Sequence, residues 1–410
     1  MSFDLNKGIA IIIDDHLNTD DDLINKISQI ISDKGIPYCG YSTLKDASKC
    51  MHNFLAVNFV ILDWKLSIPD NIQVTDILRK QNAKANIAFI KEFQKYCFAP
   101  IFIFSAEDEK DILDELAQNG GQELIGDDLS RNFILIKGKG DLIEGDNLFK
   151  SVEDWVKGNP AIYTLKAWES SFMVSKNETF WHLFNRSPLW PKILWDNYSK
   201  DSVDQNINLM EVVNKNITSR TKFIKHEEDV IQKYQGEIKK DEIKGVIQGI
   251  MFAENKVLSE YDLQPGDIFK IGGNYYLNLR PICDTVIGRM EANGDPSQAC
   301  DGEFYAIKGS KLNANALQDR YDRKLEMLNE RSNEVILYGV DGKDFVMFNF
   351  KKSYIFKYPE HKTARISRLL SPYINKVQQK YSSYIGRFGL PRIPIQIIED
   401  LLPPLLQAQA

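Results

Sequence analysis

Over the first 158 residues, unbroken apolar runs alternate with segments whose apolar positions recur at helical spacing. GIAIIIDD, Gly8 to Asp15, is a continuous apolar run closed by two acids. The next segment sets Leu23, Ile24, Ile27, Ile30 and Ile31 on one helical face. A short run, PYCGYS, and a second helix around TLKDASKCMHNFL precede the strand FVILDWKL, Phe59 to Leu66. A long helix, Asp76 to Tyr96, leads to APIFIFSAE. The helix DEKDILDELAQ leads to FILIKGKGD, and NLFKSVEDWVKG closes the series. Four of these strands are hydrophobic throughout, as parallel strands buried on both faces are. Five βα units predict an α/β fold with an open, doubly wound parallel sheet and its chemistry at the C-terminal edge.

The polar residues at the strand ends carry that chemistry. The first strand ends in Asp14 and Asp15, the third in Asp63, the fourth in Ser105 and the fifth in Lys137. Three carboxylates converging on one spot repel each other unless a cation sits among them. All-oxygen ligation with water left in the shell suits Mg²⁺. A hydroxyl and an ammonium on the far side suit the oxygens of a phosphoryl group. The set reads as an aspartate nucleophile that accepts phosphate with Mg²⁺. The bland reading of Asp63 is a polar stop at the end of its strand.

On these residues, residues 1–158 resemble the receiver domain of a two-component response regulator, whose sheet is five-stranded and flavodoxin-like. The resemblance implies that Asp63 is the phospho-acceptor. It implies that Asp14, Asp15, Asp63 and the backbone carbonyl of Lys65 hold Mg²⁺, and that Ser105 and Lys137 contact the phosphoryl group. A histidine kinase or another phosphodonor is then the expected partner. The chain departs from the family in several places. Gly138 follows the lysine where the family usually has proline. Ile134, with Phe133 beside it, stands where the switch aromatic is usual. The steps from Asp63 to Ser105 and on to Lys137 are long, which predicts an extended third helix and its loop, and a surface loop in NGGQELIGDDLSRN. The alternative is a pseudo-receiver, a phosphate-independent adaptor that keeps fold and acids but signals through contacts.

Residues 159–258 read as a helical linker, a dimerisation or docking region. Trp168, Trp181, Trp190 and Trp195 are expected to build a core there. His182 has no partner at metal-ligand spacing and reads as structural. His226 with Glu227, Glu228 and Asp229 reads as a solvated helix face.

Residues 259–410 change texture. DIFKIGGNYYLN predicts a hairpin, Val340 to Lys343 a second tight turn, and CDTVIGRM, EFYAIKG, EVILYGV and DFVMFNF further strands. ALQDRYDRKLEMLNERSN is expected as a helical excursion. The ensemble predicts a β-rich small-barrel domain with a C-terminal helix. Its opening weakly resembles the SH3-like barrels of the MazF and PemK toxins, which implies an effector enzyme of nuclease type as an alternative output. Arg280 and Asp284 read first as a salt-bridged barrel edge.

Charge sharpens this half. The whole chain carries −6, yet residues 351–392 hold ten Lys or Arg against the single acid Glu360. Lys351, Lys352, Lys357, Arg365, Arg368, Lys376, Lys380 and Arg387 alternate with aromatic residues, a mixture suited to nucleic acid or an acidic protein. The competing reading packs one face of a helix, Ala364 to Ile385, on the barrel and leaves its basic side in water. The apolar tail, IPIQIIEDLLPPLLQAQA, is broken by its proline pair. The five cysteines are scattered, with no CxxC, which fits a reducing cytoplasm. No apolar stretch is long enough to span a membrane, and the start, MSFDLNKG, does not read as a signal peptide. The chain is expected to be a cytoplasmic signalling protein, with a homodimer among its expected assemblies.

Overall fold

The computed structural model describes residues 7–17, 19, 22–54, 56–66, 75–105, 107–125, 134–144, 147–200, 205–222, 228–232, 237–259, 263–281 and 302–387. Phe133, Arg392, Asp284, His226 and Glu227, the strand expected at CDTVIGRM and the apolar tail lie outside them. Two compact units emerge: Met1–Pro191 with Met210–Gly236, and Lys192–Leu209 with Glu237–Ala410.

The first unit is the α/β fold expected from the sequence. Its elements are β1 (Ile9–Ile13), α1 (Asp22–Asp33), β2 (Tyr38–Tyr41), α2 (Leu44–Cys50), β3 (Val57–Leu62), α3 (Asp76–Phe93), β4 (Ile101–Ser105), α4 (Glu109–Gln118), β5 (Ile134–Gly138), α5 (Lys139–Leu142), α6 (Asn147–Gly158) and α7 (Pro160–Arg186). The five strands run parallel in the order β2-β1-β3-β4-β5. The continuous apolar runs have a direct cause: β1, β3, β4 and β5 each fill two cores, while β2 at the edge is only half-buried. Ile11, Ile13, Val60, Leu62, Ile101 and Ile103 pack with Ala83, Ile87 and Ile90 of α3 and with Ile112 and Leu116 of α4. Ala10, Ile12, Phe59, Ile61, Phe102 and Phe104 pack on the other face with Ile24, Ile27 and Ile31 of α1 and with Val152 and Trp155 of α6. A one-residue slip would exchange the two sets, so the register is held by both faces at once.

Helix α7 starts at an Asn159 cap, whose side chain accepts from the Ile162 N–H, and buries Ile162, Tyr163, Lys166 and Ala167. Beyond them the expected tryptophan core does not form. Trp168 and Trp181 are exposed, as is Trp195 of α8 (Trp190–Lys200). Helical spacing of aromatic residues does not by itself supply a partner face. α9 (Gln205–Arg220) and the single turn α10 (Glu228–Ile231) follow.

The second unit holds α11 (Lys240–Met251), β6 (Phe252–Glu254), β7 (Asp267–Ile271), β8 (Asn274–Asn278), β9 (Glu303–Lys311), α12 (Ala314–Gln318), β10 (Tyr321–Asp322), β11 (Met327–Leu328), β12 (Glu334–Tyr338), β13 (Phe345–Lys357), α13 (Tyr358–His361), β14 (Arg365–Leu369) and α14 (Tyr373–Ile385). Seven strands form a curled antiparallel half-barrel in the order β12-β13-β9-β8-β7-β14-β6. Both expected hairpins are present. The β7–β8 turn uses Gly272 and Gly273 at φ +54 and +78, a region that glycine enters without strain. Ile374 and Val377 of α14 close one face of the sheet, with Tyr381 and Tyr384 against Phe350.

Two expectations are corrected here. The excursion is a single helical turn, α12, followed by a short hairpin of two-residue strands, because Asp322 accepts from the Lys324 and Leu325 amides and so forms a turn. The helix expected from Ala364 is a strand, β14, paired between β6 and β7, and helix begins only after Pro372.

Candidate functional site

Two strand ends, those of β1 and β3, deliver the three acids to one place. β1 runs out at Ile13, and the Asp14 amide donates to the Tyr41 carbonyl of β2 at 3.0 Å. The Asp63 amide donates to the Ile13 carbonyl at 2.9 Å. The sheet's ladder thus continues one residue past its apolar part and fixes both aspartates at its C-terminal edge. Carboxylate oxygens of Asp14, Asp15 and Asp63 lie within 4.8 Å of one another. Asp14 and Asp63 are buried and Asp15 half-buried.

The ammonium among them belongs to Lys139. Its Nζ lies 2.7 Å from Asp14 Oδ2 and 3.4 Å from Asp63 Oδ2. The sequence had pointed to Lys137, which is half-buried on β5. Ile134 and Ile136 enter one core and Leu135 the other. The strand then ends at Gly138, and Lys139 is the first residue of α5, where the change from strand to helix turns its side chain back over the acids. A Cβ on Gly138 would sit 3.1 Å from Asp141 Oδ2, so the residue at this corner has little room.

The remaining oxygen of Asp14 accepts from the His16 N–H at 2.9 Å. Burial pushes the Asp63 carboxyl up to about 6, with Asp14 and Asp15 adding to the rise and Lys139 opposing it. Lys139 itself is held above its ordinary value: burial alone would lower it, but Asp63 and Asp14 outweigh burial. Three carboxylates and one ammonium leave two negative charges uncompensated when all are ionised. That deficit, and an all-oxygen donor set, fit a hard divalent cation that keeps part of its water shell.

Ser105 is buried at the end of β4, and its Oγ accepts from the Glu107 N–H at 3.2 Å. Lys65 follows two residues after Asp63, with its Nζ 3.2 Å from Glu107 Oε1. Between them Trp64 is fixed twice. Its carbonyl accepts from the Asn86 side chain at 2.8 Å and from Asn82, and its indole N–H donates to Glu115 Oε2 at 2.7 Å. Sequence reading missed Lys139, Glu107 and Glu115. Only Lys139 had a visible signal, the two lysines of KGKG.

The basic residues of the second unit separate into two classes. Arg365 and Arg368, expected at a polyanion surface, are buried against Asp267. Arg368 Nε lies 2.6 Å from Asp267 Oδ1 and Arg365 Nη1 lies 3.4 Å from Oδ2. Arg365 also donates to Asn255 Oδ1 and the Ser259 carbonyl. A guanidinium so engaged is structural, and these two leave the polyanion set. Lys380 pairs with Glu330 at 2.6 Å. Lys351, Lys352, Lys357, Lys376 and Arg387 remain exposed, Arg387 lying over the Tyr384 ring at 4.0 Å. The Arg280 guanidinium stacks over Tyr305 at 4.9 Å and donates to the Glu303 carbonyl.

No helix among the described residues is long and apolar enough to cross a membrane. No protein-family model and no curated protein matches the chain. Among solved structures, a fusion carrying the yeast Spc42 trimeric coiled coil, amino acids 181–211, is similar over 38% of this chain and 80% of its own. The identity is 14% and the TM-score 0.24, too low to bear on fold or function.

Proposed function

We propose that the first unit is a receiver-like switch of the cytoplasm that accepts a phosphoryl group on Asp63, with Mg²⁺ bound, and relays that state to the second unit. The observation that carries this reading is the cluster of Asp14, Asp15 and Asp63 around the Lys139 ammonium at the C-terminal edge of a parallel sheet. Asp14, Asp15, Asp63 and the Lys65 carbonyl would hold the cation. When bound, the cation neutralises oxygens of the donor and of the developing acyl phosphate.

An Asp63 carboxylate oxygen attacks phosphorus, and the bond from phosphorus to the donor's leaving atom breaks. That atom keeps the electron pair, leaving as acetate from acetyl phosphate, or as a histidine ring nitrogen that takes a proton from water. Asp63 is left as an acyl phosphate, which water later cleaves back to carboxylate and phosphate. Lys139 compensates charge on the phosphoryl oxygens, and the Ser105 hydroxyl donates to one of them. Burial raises the basicity of Asp63, so a smaller fraction is ionised below about pH 6, while ionised Asp63 is the more nucleophilic for it. A kinase phosphohistidine or a small phosphodonor suits this chemistry.

Intact mass after incubation with Mg²⁺ and acetyl phosphate, wild type beside Asp63→Asn, tests the reading. One added phosphate on wild type alone supports it. No addition, or equal addition to both proteins, overturns it.

A second reading concerns the basic strand. Exposed Lys351, Lys352 and Lys357 on β13 accompany the exposed ring of Tyr354, a combination suited to a polyanion. Salt-sensitive retention on heparin that is lost on changing these three lysines to glutamate supports it, and unchanged retention refutes it.

A further inference from the structure

Helix α11 of the second unit turns its polar and small residues inward. Gly245, Gln248 and Gly249 line a cavity of about 540 Å³ with Phe252, Val340 and Ile366. A Cβ added to either glycine would meet nothing within 4 Å, so the helix leans on the half-barrel only loosely. No residue of α11 is buried.

The outward side is apolar. Ile243, Val246, Ile247 and Ile250 are 52%, 63%, 38% and 51% exposed. At about 100° per residue, these four lie on the side of the helix opposite the two glycines. A helix normally turns such a stripe towards its own core. A 12-residue helix that contains two glycines is also marginal unless a partner covers it. The stripe is therefore built for a surface outside the half-barrel.

We infer that this surface is the same stripe of a second copy, and that two α11 helices pack antiparallel about a two-fold axis. The pattern of the stripe carries the choice of partner. Its spacing, I-x-x-V-I-x-x-I, reads the same in both directions. A two-fold interface requires such self-complementarity, since residue i meets residue j and residue j meets residue i. With the axis between Val246 and Ile247, Ile243 meets the second copy's Ile250, and Val246 meets its Ile247. All four side chains are matched at once, and an unrelated partner would impose no such symmetry.

The charges beside the stripe agree with this pairing. Lys244 comes level with Gly249 of the second copy, and Glu242 with its Met251, so no like charges are opposed. Lys244 already has an acid of its own, Asp241 at 2.6 Å, and carries no unpaired charge into the contact. The antiparallel arrangement also sets each helix N-terminus beside the other's C-terminus. The four side chains expose roughly 400 Å² per copy, about 800 Å² for a pair, which is small for an interface and fits a weak, concentration-dependent dimer. The pairing is independent of the chemistry proposed at Asp63.

Sedimentation of the full chain between about 1 and 200 µM tests the inference, a range that spans weak association. The average mass of wild type should rise from 47.1 kDa towards twice that value. Over the same range, hydrogen exchange of the α11 peptide should slow on the order of tenfold as pairing covers it. Val246→Glu and Ile247→Lys should each weaken pairing at least about tenfold, because each presses an unpaired charge against an apolar side chain. Mixed in equal amounts, the two variants should pair again, since the new carboxylate of one lies opposite the new ammonium of the other. Gly249→Ala, on the opposite side of the helix, should keep the dimer. Exchange of β7 and β14 should match wild type in every variant, which separates lost pairing from lost fold.

A chain that stays at 47.1 kDa throughout overturns the inference, whether the stripe is covered from within the chain or by another protein. So does a doubled mass with α11 exchange unchanged, a dimer that withstands Val246→Glu, or a mixture of the two charged variants that does not pair.

Discussion

Replacing Asp63 by asparagine keeps the side chain's shape and removes one of three crowded carboxylates, and the effect on stability follows from where that carboxylate sits. Burial lifts the Asp63 carboxyl from 3.8 to about 6 despite the nearby Lys139. A rise of roughly two pH units corresponds to about 3 kcal/mol of preference for the protonated form in the folded state. Between about pH 4 and pH 6 the folded chain thus holds more protons here than the unfolded chain. The contribution is fully present below about pH 4 and is lost as pH rises through about 6. The amide of the variant cannot titrate. In EDTA, the stability of Asp63→Asn relative to wild type should therefore climb by about 3 kcal/mol between pH 4 and pH 7.5. Excess Mg²⁺ at pH 7.5 should close most of that gap by stabilising wild type. Native-state hydrogen exchange of the β1 and β3 peptides, corrected for intrinsic rates, measures it. A difference that stays flat with pH in EDTA would show that Asp63 is not the strained group.

Three other outcomes follow from the same geometry. Lys139→Met should suppress phosphate uptake and, without added cation, cost on the order of 3–5 kcal/mol by leaving Asp14 and Asp63 unpaired, whereas Lys137→Met should stay close to wild type in both mass and exchange assays. Asp267→Asn should destabilise the second unit by about 3–5 kcal/mol, read by exchange of β7 and β14, because two buried guanidiniums lose their carboxylate. Gly266→Ala should loosen the same strands, since a Cβ there runs into the Leu369 carbonyl with φ at +94, while Gly272→Ala in the open turn should be milder.

The first unit was legible in the sequence because four of its five strands are buried on both faces. Their unbroken apolar runs announce parallel sheet, and the residues that end them announce the working edge. The lysine was misplaced for a local reason. Residues 137 and 139 share a face in a strand, so their pattern cannot say which one follows the turn at Gly138. The structural role of Arg365 and Arg368 was hidden for a non-local reason. Their acid, Asp267, lies about a hundred residues earlier, and neither spacing nor charge counting connects them. The contacts of Lys65 with Glu107 and of Trp64 with Glu115 were hidden likewise, because they join separate elements through side chains that look like ordinary solvated charges.

The place of β14 also bears on how the chain is made. β14 lies between β6 and β7, so β6, at Phe252–Glu254, finds its strand partner only in residues 367–369. At about 5–20 residues per second, the ribosome adds the intervening hundred or so residues in on the order of ten seconds. For most of that interval Asp267 has been made while both of its arginines have not. The half-barrel cannot close from its beginning. It closes when its last strand arrives, and a nascent chain stopped short of Arg365 lacks at once the strand that joins β6 to β7 and the charges that balance Asp267.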